Sequence, residues 1–390
     1  MEWFKYLNEA QIITWRHWLH QHAELSFQEY ETSTYIKQAL TDMGNIEISQ
    51  PTKTSVLGVI KGSLPGPVIA LRADIDALPI QEEAEVSFAS QNPGVMHACG
   101  HDTHAAMLLG AADVLSKITG RLAGTVKLIF QHAEETTPGG AREILATGCL
   151  DDVDCFYGSH IMTPYPAGHI YMLDGPVMAA QNSFHLMIQG RGSHGSMPET
   201  SIDPITVGAN IITGINQIVS RNIGPFENVV ISFGRFSSGD VFNVIPDKAW
   251  IDGTVRTNTA QARKYVEQRI RDVIDHTCKA HGADYELNYV HGYPALTSDK
   301  ACTDIARRAA KATFSEALCH DGKRAMGSED FSYYTEQAPS TFVILGGGDE
   351  SDGCPYVNHH PKFTVREDTL INGTKMYVAF TLEAMNTLKQ

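Results

Sequence analysis

What this chain lacks narrows what it can be. Nowhere in its 390 residues is there an apolar run approaching the ~20 residues of a membrane-spanning helix. Its opening, Met1-Glu2-Trp3-Phe4-Lys5-Tyr6-Leu7-Asn8-Glu9, has neither the basic start nor the continuous apolar core of a secretory signal. Basic residues are in deficit: 30 Lys and Arg stand against 45 Asp and Glu, a formal charge of −15. Such a balance gives no general attraction to nucleic acid or to an anionic membrane, and neither is expected as a partner. Cysteine is sparse, with seven residues scattered at 99, 149, 155, 278, 302, 319 and 354. An odd count without a compact framework argues against a disulfide scaffold and for a reducing compartment, so the expected location is the cytoplasm. Internal repeats and low-complexity linkers are also missing.

What remains is an ordinary globular composition, 43% hydrophobic and 19% charged, on a chain long enough for about two domains. Helical spacing runs through residues 9–44, with Trp15, Trp18 and Leu19 on one face. Val56–Ile60, Val68–Leu71, Thr125–Phe130 and Cys155–Gly158 are short apolar runs of β type. Between them lies a helix with Ala106, Leu109 and Val114 at apolar positions, for which Asp102 or Thr103 is the expected N-cap. Strands alternating with helices, with polar clusters just past the strand ends, predict an α/β sheet whose site lies at its carboxyl edge. The middle of the chain changes character. Phe184–Gln189, Asn228–Gly234, Ala249–Arg256 and Tyr285–Val290 read as strands, and Pro204–Ser220 and Ala260–His281 as helices. The order β-α-β-β-α-β is a split βαβ unit of ferredoxin-like plan, inserted as residues 181–291 into a larger domain made of 1–180 and 292–390. The chain ends in a predicted helix, Ile371–Leu388.

The densest chemical signal is His97-Ala98-Cys99-Gly100-His101-Asp102-Thr103-His104. A lone histidine is usually structural, but here three sit with a cysteine and an aspartate in eight residues. Cys99 and His101, two apart, face the same way in an extended segment, and a thiolate with an imidazole suits a borderline divalent ion. A zinc-stabilised loop is the structural alternative, weakened by the lack of a second Cys pair nearby. Glu134-Glu135 follows a predicted buried strand and precedes Pro138-Gly139-Gly140. Successive side chains diverge, so one glutamate can bind metal while its neighbour handles the proton of a water, the division of labour that hydrolysis needs. His160 follows a predicted short strand, and His359 lies in Asn358-His359-His360-Pro361.

These motifs resemble a known family. Arg72-Ala73-Asp74-Ile75-Asp76-Ala77-Leu78-Pro79, Met96-His97-Ala98-Cys99-Gly100-His101-Asp102 and Gln131-His132-Ala133-Glu134-Glu135 are similar to the M20 metallopeptidases, and most similar to their amidohydrolase branch of hippurate, auxin-conjugate and N-acyl amino acid hydrolases. Gly192–Pro198, Asn243–Asp247, Gly253–Arg256, Gly327–Phe331, His359-His360-Pro361 and Arg16–Phe27 extend the likeness over nearly the whole chain. The resemblance implies a metallo-exopeptidase-like α/β catalytic domain, with the insert as lid and dimerisation surface. It implies two divalent metals (manganese, zinc, nickel or cobalt) on Cys99, His101, Glu135, His160 and His359, with Cys99 bridging. Glu134 is then the general base, Asp76 orients a ligand histidine, His194 contacts the developing oxyanion, and Asn243 and Arg256 hold the substrate carboxylate. The implied substrate is a small N-acyl or N-aroyl amino acid. A dipeptidase or aminopeptidase, or a metal-binding protein without catalysis, are the alternatives. Two positions depart from the family, which usually has proline at Ala23 and at His132. His132 either tunes or reaches the site, or simply packs or faces solvent. His360 stands where relatives carry Ser or Asn.

Overall fold

The structure, a computed structural model, describes residues 1–388 and divides into two compact units. The first comprises Met1–Val177, Thr297–Arg324 and the chain from Asp330 onward. Its eight-stranded sheet runs, in spatial order, Glu47–Ser49, Val56–Lys61, Ala123–Gln131, Leu64–Asp74, Cys155–Met162, Ser340–Gly346, Ile170–Met172 and Cys319–Asp321. The four central strands are mutually parallel, and their outer neighbours pair antiparallel. The α/β sheet expected from the sequence is therefore present. Leu64–Asp74 has its next strand in sequence on one side and Cys155–Met162 on the other. The order reverses there, which opens a crevice beyond the carboxyl ends of the strands. Helices Glu9–Gln21, His101–Ser116 and Leu370–Thr387 pack against one another, and Lys300–Thr313 packs on the last of them.

The Leu64–Asp74 and Ala123–Gln131 strands run past the apolar runs that announce them, and at their carboxyl ends the reason is shared. Arg72 and Asp74 lie inside the Leu64–Asp74 strand and are both wholly buried. Arg72 Nη1 donates to Asp74 (2.7 Å), its Nε to Gln131 (2.9 Å) and its Nη2 to Asp330 (2.8 Å), while Gln131 also donates to Asp330. Charges cancelled in this way can occupy a core strand that polarity alone would end.

The helix expected to begin at an Asp102 or Thr103 cap instead spans His101–Ser116, with Gly100 as its N-cap and no side-chain cap. Gly100 is left-handed at φ 89°, and a Cβ there would stand 2.7 Å from Ile161 Cγ2. The chain thus enters the helix through a turn that only glycine fits. Thr103 turns its hydroxyl back to the Gly100 carbonyl (2.6 Å), and Asp102 is buried against Arg16 (3.1 Å) and His20 (2.9 Å).

The second unit, Met178–Leu296 with Ala325–Glu329, has its own core. Its antiparallel strands lie in the order Val229–Ser238, Lys248–Thr257, Ala180–Gln189, Asp284–His291. Helices Pro204–Gln217 and Ala260–His281 cover one face through Val207, Ile211, Ile215, Val266, Ile270 and Ile274. In chain order the unit is β-α-β-β-α-β. A short ladder pairs Ser193–His194 with Val244–Ile245. Among the described residues of the whole chain, no helix is long and apolar enough to cross a membrane.

The ion cluster on the first helix has a pH signature. Burial opposes charging of His20, but Asp102 and Glu82, on its two ring nitrogens, outweigh it and lift the imidazole to about 9. A folded value above the unfolded 6.5 means that this stabilisation is fully present below pH 6.5 and is lost as pH rises through 9. The urea midpoint of the wild type should therefore fall between pH 7 and pH 10. The deficit of His20→Gln, on the order of 3 kcal/mol at the lower pH, should shrink across the same range.

Candidate metal centre

The ends of the central strands deliver the donors. Ala123–Gln131 runs out into His132, Ala133, Glu134 and Glu135, as the sequence pattern indicates. Ala133 is left-handed at φ 50°, and the turn closes through Gly140 N–H to the Ala133 carbonyl (3.1 Å). Gly140 itself passes so close that a Cβ would meet the His132 carbonyl oxygen at 1.9 Å. His359, at φ 71°, sits in a loop tied down by its own N–H to the Ala98 carbonyl (2.7 Å). Beside it, Asn358 Nδ2 donates to the carbonyls of Cys99 (3.0 Å) and Ile161 (3.2 Å).

Cys99, His101, Glu135, His160 and His359 come together. Cys99 Sγ lies 3.3 Å from His160 Nε2 and 3.2 Å from His359 Nε2, and Glu135 Oε1 lies 3.3 Å from His359 Nε2 and 3.9 Å from His101 Nε2. Ligand atoms of Cys99, His101 and His160 form one close trio, and those of Cys99, Glu135 and His359 another, with the thiol common to both. Glu134 groups with His101 and Glu135. The route to this convergence differs from the expected one in two places. Cys99 and His101 do not face together along an extended segment; the left-handed Gly100 turn brings them to one point. His160 does not follow its strand but lies within Cys155–Met162, where Ser159 and His160 are both buried.

The ring nitrogens are assigned by their partners. His101 Nδ1 donates to the Asp76 carbonyl (2.9 Å) and approaches the Asp76 carboxylate (3.2 Å). His160 Nδ1 donates to the Ile161 carbonyl (2.7 Å). Each ring therefore turns its Nε2 inward, the arrangement that orients histidine ligands. His101 Nε2 is buried with no hydrogen-bond partner among the described residues. Burial pushes the Cys99 thiol well above its usual range, and Glu135, Glu134 and Asp74 push it further. Burial opposes charge on His101, yet Asp74, Asp76 and Glu135 overcome it and raise the ring to about 10. Negative charge gathered around a thiol and an orphaned imidazole nitrogen fits a divalent cation better than it fits an empty crevice. A further trio, Asp74, His101 and His104, is already committed. His104 Nε2 accepts the Ile161 N–H (2.8 Å), so its Nδ1 carries the proton given to Asp74 (2.5 Å).

Comparison with known proteins accords with this geometry. The model of peptidase family M20/M25/M40 matches residues 70–383. The chain belongs to that family. It is 45% identical over 293 residues to the N-acyl-L-amino acid amidohydrolase of Geobacillus stearothermophilus, covering 75% of this chain and 79% of that one. It is 40% identical over 382 residues to an N-acetylcysteine deacetylase of Bacillus subtilis, covering 97% and 98%. Among solved structures, the Bacillus subtilis YXEP protein, described as a dinuclear metal-binding peptidase from the M20 family, superposes with a TM-score of 0.86 at 36% identity over 97% of this chain and 99% of that one.

On this M20 chain the other singled-out residues fall as follows. Asp76 is buried; one carboxylate oxygen meets His101 and the other accepts from Glu135 N–H (3.0 Å) and Ser26 Oγ (2.7 Å). His132 is buried, with Nε2 on Glu143 (3.1 Å) and Nδ1 toward Thr52 (3.4 Å). His360 stacks on Tyr356 at 4.3 Å. His194, Asn243 and Arg256 belong to the second unit. There Gly195 N–H donates to the Asn243 carbonyl (2.8 Å), His194 stands opposite Val244, and Arg256 Nη1 donates to Thr254 Oγ1 (2.5 Å). Sequence reasoning missed Arg72, Asp74, His104, Asp330 and Asn358 as supports. Each lies in or beside a motif already singled out, but nothing in the sequence assigned any of them a supporting role.

If the centre binds cations in the folded state alone, metal content and stability must be linked. Chelator-treated protein should unfold at a lower urea midpoint. Free zinc or manganese at about 100 times its Kd should restore about 2.7 kcal/mol. Cys99→Ser should lose most of that gain. Identical midpoints with and without metal in the wild type would rule the centre out.

Proposed function

We propose that this protein is a metal-dependent amidohydrolase that cleaves N-acyl or N-aroyl amino acids to a carboxylic acid and a free amino acid. The observation that carries the reading is the meeting of Cys99, His101, Glu135, His160 and His359 with a second buried carboxylate, Glu134, next to them in sequence. The amidohydrolase and deacetylase relatives supply the substrate class. In this reading the five donors hold two divalent ions, drawn from manganese, zinc, nickel or cobalt. When bound, such ions lower the pKa of a water and polarise the acyl carbonyl.

The chain's own groups do the rest. Glu134 takes a proton from the attacking water as its oxygen adds to the acyl carbon. It then gives that proton to the departing nitrogen as the C–N bond breaks. Asp76 keeps the His101 ring turned by gripping Nδ1. His194 Nδ1 accepts from Ser196 N–H (3.1 Å) and faces Ser196 Oγ (2.7 Å). That leaves the ring N–H on Nε2, a suitable donor for an oxygen gaining negative charge. Asn243 and Arg256 bind the carboxylate of the amino acid. The second unit acts as a lid and joins two copies in a homodimer or larger homo-oligomer, and the enzyme works in the cytoplasm.

A panel of N-acetyl, N-benzoyl and indoleacyl amino acids beside dipeptides, with added manganese, cobalt or zinc, tests the reaction directly. Turnover of the acyl amino acids ahead of the dipeptides is expected, and no turnover of any member would refute the proposal. Glu134→Gln should retain metal and lose on the order of 10²–10⁴ in kcat. His194→Ala should lose roughly 10² or more in kcat with its metal content intact, and unchanged turnover would remove it from the reaction.

A further inference from the structure

We infer that Glu29 is a positioning residue, which holds the backbone turn from which Glu134 and Glu135 diverge. This rests on the hydrolytic reading of Glu134. Glu29 is wholly buried at the N-cap of helix Tyr30–Met43 and makes no capping bond to the first turn. Its carboxylate turns the other way. Oε1 accepts from Phe27 N–H (2.9 Å) and from Ala133 N–H (2.9 Å), and Oε2 accepts from Thr54 Oγ1 (2.7 Å).

The two backbone donors share a second property. Among the described residues only four that are not glycine have positive φ, namely Phe27 at 66°, Asn45 at 55°, Ala133 at 50° and His359 at 71°. One oxygen of Glu29 thus holds two of the four strained positions at once. Left-handed backbone is unfavourable for a residue with a Cβ and persists only where its surroundings over-determine it. At Ala133 the surroundings are Glu29 on the N–H and Gly140 on the carbonyl. Two residues on, Asp76 grips the N–H of Glu135. The backbone is therefore held by one buried carboxylate on each side of Glu134. Released at Ala133, it would relax toward right-handed or extended geometry and swing the Glu134 side chain away from its place. Burial and the nearby Asp76 lift the Glu29 carboxyl to about 7. The two backbone bonds need only an acceptor oxygen at the right reach, which a neutral side chain of the same length also supplies.

Two conservative variants separate reach from charge. Glu29→Gln keeps the length and an acceptor oxygen, while Glu29→Asp keeps the carboxylate and is one methylene short. Glu29→Gln should stay within about threefold of wild-type kcat, whereas Glu29→Asp should lose about tenfold or more with KM and bound metal within about twofold. Amide hydrogen exchange in the 130–140 peptide of the purified protein, which needs no substrate, should quicken in Glu29→Asp and not in Glu29→Gln. Thr54→Val, which frees only the second oxygen, should repeat the Glu29→Asp pattern more weakly and serves if that variant fails to fold. Wild-type kcat and exchange in the folded short variant, or an equal loss in Glu29→Gln and Glu29→Asp, would overturn the assignment. If wild type turns over and Glu134→Gln does not, the reaction stands whatever the Glu29 series shows. If no substrate is found, the exchange pattern still decides the role of Glu29.

Discussion

The carboxylate of Asp76 ties together two stretches of chain that carry candidate donors and a third that carries none. It sits just past a central parallel strand, meets His101 at the start of a helix, accepts the N–H of Glu135 beyond the neighbouring strand, and takes the hydroxyl of Ser26. A buried carboxylate is costly unless its lone pairs are used. Here its hydrogen bonds to His101, Glu135 and Ser26 overcome burial and keep its pKa below the ordinary range. The interaction that lets Asp76 remain an anion is thus the one that fixes the geometry around it.

Below it the same logic recurs with larger charges. Arg72, Asp74, Asp330 and Gln131 form a closed set inside the sheet. Through Asp74 the set reaches His104, and through His104 the backbone of Ile161, next to His160. A buried network of this kind is weak evidence for net stability, but it allows few alternative arrangements, and a rigid floor is what closely spaced metal donors need. The backbone over that floor is strained where it matters. Ala133 and His359, two of the few left-handed residues that are not glycine, adjoin or belong to the donor set. That strain is held by hydrogen bonds to acceptors outside the donor cluster, from the Ala133 N–H to Glu29 and from the His359 N–H to the Ala98 carbonyl.

The donors were legible one by one because each carries chemistry that a sequence displays. Cys99-Gly100-His101 and Glu134-Glu135 stand out by residue type and by their place after apolar runs. The supports were not legible. Arg72 and Asp74 resemble a strand end until the interior is seen to neutralise them, and nothing local to Glu29 points to Ala133, 104 residues away. Asp102 was expected as a helix N-cap and is instead a buried counter-ion to Arg16 and His20 within the first turn, because Gly100 already makes the entry turn.

By itself the sequence determined the alternation of strands and helices and the residue types able to bind a cation and move a proton. These follow from local periodicity and from functional groups, which are properties of short segments. Only the tertiary structure decided that donors from residues 99 to 359 share one point, which imidazole nitrogen faces it, and which carboxylates are spent as supports. Those outcomes depend on which distant atoms complete each hydrogen bond and cancel each charge, and no window along the chain contains both partners.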